Sequence, residues 1–109
     1  MTHPARLPLP DRPRLWRVAV SHYQVEGGDR CDWTEWEAAG RTKGGACGDA
    51  VGSWSRYEED VALAAAAGAN AFRFSISWSR VEPVRGTFDE DALARYHAVV
   101  DAAEAHGLE

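Results

Sequence analysis

Apolar and polar residues first alternate between Trp16 and Gln24, where Trp16, Val18, Val20, His22 and Gln24 share one parity and Arg17, Ala19, Ser21 and Tyr23 the other. This period of two predicts a first strand. It returns from Ala71 to Trp78, with Phe72, Phe74, Ile76 and Trp78 on one face and Arg73, Ser75 and Ser77 on the other, predicting a second. Between them the spacing becomes helical: Trp54, Tyr57, Val61, Ala64 and Ala65 form an apolar stripe, Ser55 and Glu58 are spaced as a capping box, and Gly68 is the stop. Beyond Pro83 and Gly86, Asp89 is placed to cap a second helix with Leu93, Tyr96, Val100 and Ala103 as its stripe and Gly107 as its end.

Pro4, Pro8, Pro10 and Pro13 make residues 1–14 a Pro/Arg-rich flexible lead-in and leave 15–109 as the folded portion. Glycines from Gly27 to Gly52 interrupt a long segment without a sustained period, which reads as a functional loop. The order strand, helix, strand, helix predicts an α/β fold in which a parallel sheet is covered by helices. Phe72, Phe74 and Ile76 then face the helices, and Arg73, Ser75 and Ser77 face inward.

Composition narrows the picture. With 45% hydrophobic and 27% charged residues, the chain is neither disordered nor fibrous in type. A net charge of −5 without a basic run argues against nucleic acid as a partner. Cys31 and Cys47 form neither a C-x-x-C pair nor a dense framework and read as free thiols in a reducing compartment. No signal-type or membrane-spanning apolar run is present, so no membrane partner and a cytoplasmic location are expected.

Three stretches carry more information: LWRVAVSHYQVEG from Leu15 to Gly27, RYEED from Arg56 to Asp60, and FRFSISWSRVEP from Phe72 to Pro83. In order and separation they resemble the opening of the family 1 glycoside hydrolases, retaining β-glycosidases built on a TIM (β/α)8 barrel. The resemblance runs from about Leu15 to Glu109 and implies the first two βα units of that barrel. A chain of 109 residues is incomplete beside the roughly 250 of a whole one.

In that family one glutamate protonates the leaving oxygen and a second forms a covalent glycosyl-enzyme, their carboxyl groups only about 5 Å apart. The N-E-P and E-N-G motifs that carry them do not occur here, so no catalytic residue is assigned and the isolated chain is expected to be inactive. The resemblance implies that Gln24 hydrogen-bonds sugar hydroxyls, for which its amide has both donor and acceptor. Position alone reads it equally well as a polar residue at a strand end. Arg73 resembles the arginine that supports the nucleophile through bidentate hydrogen bonds; taken alone, it reads as a solvent-facing arginine. Trp33 is a candidate for stacking on a sugar ring, whereas Trp36 is expected to pack beneath the loop. Glu26 is expected to be structural, in a salt bridge.

His22, His97 and His106 show no ligand spacing, and neither metal nor cofactor is expected. Asp29, Asp32, Glu35 and Glu37 lack a calcium-loop pattern and read as a solvated acidic face. Arg14, Arg17 and His22 depart from the family pattern, and by parity Arg17 falls on the helix-facing side, an unfavourable place for an unpaired charge unless it snorkels to solvent at the barrel rim. The expected ligand is a β-glycoside or oligosaccharide in the intact relative. The alternative is a non-catalytic binding or oligomerising module, or a complementing barrel piece, self-associating through the open barrel face.

Overall fold

The computed structural model describes residues 14–109. Of the lead-in, residues 1–13 lie outside the described residues. Strands β1 (Arg17–Ala19) and β2 (Ala71–Arg73) pair in parallel, with Arg17 opposite Ala71, Val18 opposite Phe72 and Ala19 opposite Arg73. Among the described residues five helices accompany them: α1 (His22–Val25), α2 (Asp32–Ala38), α3 (Ser53–Ala66), α4 (Trp78–Val81) and α5 (Glu90–Ala105). The expected strand–helix–strand–helix order is present, with three short helices added to it.

Both strands are shorter than their alternating patterns. A ladder needs a neighbour's backbone, and β1 turns into α1 at His22, so β2 loses its partner after the bond from Val20 N to Arg73 O at 2.9 Å. The chain beyond Arg73 is held by side chains instead: His22 N donates to Ser75 Oγ at 2.7 Å. Ile76, expected to face the helices, and Trp78, of the same parity, are 58% and 77% exposed because the pattern outlasts the sheet. Arg17 also departs from the helix-facing parity of the alternating pattern. Val18 carries the helix-facing side of β1 and packs on the core, so Arg17 points the other way and is exposed.

Helix α3 starts at Ser53 after Gly52, whose φ is 70°, and kinks at Arg56. The expected capping box is absent: the Ser55 hydroxyl donates back to Gly52 O at 3.2 Å. Helix α5 begins as expected, Asp89 accepting from the amides of Asp91 and Ala92 at 2.9 and 3.1 Å. Its buried stripe is Ala92, Tyr96, Val99 and Ala103; Leu93 and Val100 instead line an open apolar groove with Ile76 and Val81.

Both long helices end in Schellman motifs. Gly68 N bonds Ala65 O and Ala69 N bonds Ala64 O; Gly107 N bonds Glu104 O and Leu108 N bonds Ala103 O. The second motif drives Leu108 into the core formed by Val61, Ala64 and Ala103. It also lays Glu109 along β2, with Glu109 N to Asn70 O at 3.0 Å and Phe72 N to Glu109 O at 2.8 Å. These two bonds straddle Ala71 as a parallel ladder does, on the side of β2 away from β1. The end of the chain therefore docks on the sheet.

Candidate sugar site and the family it defines

Gln24 lies in α1, just past the C-terminal end of β1, and is exposed. It shares an open depression with Trp33, Trp36, Arg41 and Thr42. The wall is held by Tyr23, whose ring stacks on Trp33 with centroids 5.3 Å apart and whose hydroxyl donates to Glu37. That bond, with burial and the negative charge of Glu37, pushes the Tyr23 phenol up to about 12. Glu37 also accepts from Cys47 N at 2.7 Å, and the Cys47 thiol bonds Tyr23 O. Burial, then the neighbouring Glu37, raises the Cys47 pKa.

Trp33 is 49% exposed in this depression. Trp36, expected to pack, is 46% exposed because α2 turns it outward, with the Arg41 guanidinium over its ring at 4.7 Å. Arg73 is on the inward face of β2, opposite the core-facing Phe72. It is exposed and makes no ion pair among the described residues. The carboxylate expected beside it is not among them.

A buried polar network begins at Glu26, where α1 ends. Glu26 forms the expected salt bridge, to Arg80 Nε at 2.9 Å, and accepts from the Tyr96 hydroxyl at 2.9 and 3.1 Å. Tyr96 in turn accepts from Ser77 N at 2.9 Å, while Arg80 donates to Gly27 O and lies 4.1 Å over the Trp54 ring. Desolvation outweighs these partners and holds the Glu26 carboxyl above its ordinary 4.5; burial raises Tyr96 as well.

A raised carboxyl makes the native state bind more protons than the unfolded one, so this contribution to stability is present below pH 4.5 and lost as pH rises through the folded pKa. In urea unfolding followed across pH, the wild type should lose stability relative to Glu26→Gln as pH climbs through that window. A gain over the same window would reverse the assignment.

The acidic loop is not uniformly solvated. Asp32 and Glu35 are exposed, but the Asp29 side chain is only 7% exposed and accepts from Ser77 Oγ and Ser79 Oγ. The structure also brings His22, Asp29 and Cys31 together, their ligand atoms all within 4.8 Å, although no ligand spacing marks them in the sequence. Among the described residues no helix is long and apolar enough to cross a membrane.

A parallel βα pair with an open depression at its strand ends is the arrangement of two neighbouring units of a (β/α)8 barrel. The glycosyl hydrolase family 1 profile matches residues 9–109, and the chain belongs to that family. It is 37% identical over 120 residues to the aryl-phospho-beta-D-glucosidase BglC of Bacillus subtilis, covering 98% of this chain and 24% of that protein. It is 38% identical over 104 residues to the coniferin beta-glucosidase of Pinus contorta, covering 87% and 20%. Among solved structures, beta-glycosidase BGL167 superposes with a TM-score of 0.81 at 42% identity, over 86% of this chain and 23% of that one. The chain thus spans 20–24% of the length of these relatives and corresponds to the opening βα units of their barrel.

Proposed function

We propose that this chain supplies the opening βα units and part of the sugar pocket of a retaining β-glycosidase acting on β-glucoside-type substrates, the two glutamates coming from other strands of the barrel. The observation that carries this reading is the joint placement of Gln24 and Trp33 in one open depression at the end of β1. The Gln24 amide offers a donor and an acceptor to adjacent sugar hydroxyls, and the Trp33 face a surface for the ring. Arg73, uncommitted and inward-facing, is available to hold the nucleophilic carboxylate ionised and oriented until it attacks the anomeric carbon, while the other carboxyl protonates the leaving oxygen.

The test is hydrolysis of a chromogenic aryl β-glucoside by the 109-residue chain, alone and fused to the remaining strands of a family member. We expect no turnover alone, turnover in the fusion, and a loss of about 100-fold in kcat for Arg73→Ala in the fusion, the scale of a displaced reacting group. Turnover by the homogeneous chain alone, or an Arg73→Ala fusion with full activity, would overturn the reading. A second reading, a non-catalytic module that pairs with its own copy or a complementing barrel piece, is favoured by the exposed Ile76, Trp78 and Phe88. A defined dimer without turnover in the fusion would select it.

A further inference from the structure

Three side chains that do not line the depression around Gln24 converge on one another. His22 stands at the first position of α1, Asp29 in the turn that follows, and Cys31 at the N-cap of α2. His22 Nδ1 is buried and makes no hydrogen bond. It lies 3.2 Å from Asp29 Oδ2, within ion-pair distance but without hydrogen-bond direction. A buried nitrogen without a partner is unusual, and imidazole, thiolate and carboxylate together form a donor set suited to a borderline-soft cation.

We propose that His22 Nδ1, Cys31 Sγ and the Asp29 carboxylate form a three-ligand site for Zn2+, with the fourth tetrahedral position open to water. Their ligand atoms fall within 4.8 Å of one another, close enough to surround one ion. On binding, the Cys31 thiol releases its proton to solvent, and the imidazole stays neutral with its proton on Nε2. Thiolate and carboxylate then balance the two positive charges. The supporting contacts are in place: Ser77 Oγ and Ser79 Oγ donate to Asp29, and Ser75 Oγ holds the His22 amide. Arg80, whose charge opposes a cation from 4.0 Å off Asp29 Oδ1, is paired with Glu26 at 2.9 Å. Bound zinc would tie α1 to the start of α2 and so fix Trp33 beside Gln24. The site stands whether or not the glycosidase reading does.

The test is titration of the reduced 109-residue chain with Co2+, then displacement by Zn2+. One equivalent should produce a thiolate-to-cobalt charge-transfer absorption that Zn2+ bleaches, and zinc should raise the thermal midpoint. Cys31→Ser should abolish the absorption, His22→Ser should weaken binding by about 100-fold or more, and Cys47→Ser should leave both unchanged. Absence of the absorption in the wild type, which needs no variant, would overturn the proposal. So would zinc affinity unaltered by Cys31→Ser and His22→Ser, which would mark adventitious binding at other histidines.

Discussion

Replacing Arg80 with methionine is expected to destabilise the chain by about 3–5 kcal/mol, the usual cost of removing one member of a buried ion pair and leaving the other behind. Methionine keeps an unbranched stem for the Trp54 face, so the loss isolates the charge rather than the packing. The side chains of Arg80 and Glu26 are 14% and 9% exposed, so water does little to replace the missing guanidinium. Tyr96 would remain as a donor to Glu26, but one hydroxyl does not neutralise a carboxylate. The reserve against such a loss is small, because the central cluster consists of Val61, two alanines and Leu108.

The same argument predicts how this loss depends on pH. Glu26 already sits above its ordinary 4.5, and without Arg80 it moves higher still, so it folds as the neutral acid over a wider range. The gap between wild type and Arg80→Met in urea unfolding should therefore narrow as pH falls and Glu26 becomes protonated in both. A gap under about 1 kcal/mol at neutral pH would place Arg80 among exposed pairs of little worth. A gap that does not change with pH would mean that packing, not charge, is what Arg80 supplies.

The network behind these effects was only half legible in the chain. Glu26 reads as a structural carboxylate from its place, but its partners Arg80 and Tyr96 stand on α4 and α5, far along the sequence, and no local period points to them. Asp29 looks like one of several loop carboxylates because the serines that bury it, Ser77 and Ser79, belong to the other βα unit. What is local is read well. Asp89, Gly68 and Gly107 act through bonds to residues two to four positions away, and helices α3 and α5 end where those signals stand. Helix α2 escapes because its cap is a cysteine, with the Thr34 hydroxyl accepting from Cys31 N at 2.9 Å, in place of the usual Ser, Thr, Asp or Asn. The strand ends escape for another reason: alternation tells which way a side chain points, not how far a neighbouring backbone runs beside it. The one-residue shifts within the α5 stripe, to Ala92 and Val99, arise similarly, since Leu93 and Val100 are apolar enough to be core but lie over an open groove.

Gly27→Ala should be nearly as damaging as the loss of Arg80, and for a purely geometric reason. The glycine has φ +78°, and a Cβ built there would stand 2.1 Å from Asp49 O and 2.4 Å from Asp49 C. The obstacle is backbone, which cannot rotate aside as a side chain can. To admit a methyl group, the returning arm of the loop must move away, breaking the bond from Gly28 N to Gly48 O and drawing Gly27 O from the Arg80 guanidinium. The left-handed backbone costs about 1–2 kcal/mol, and overpacking adds about 1–3 kcal/mol. Gly28→Ala separates the two terms, since Gly28 has φ +66° but nothing within 4 Å of its missing Cβ. Urea unfolding of both variants should show Gly27→Ala the less stable by the overpacking term, with increased amide exchange across residues 28–48. Equal stability of the two would mean that the Asp49 arm yields freely, and that the loop carrying Trp33 is not pinned at this crossing.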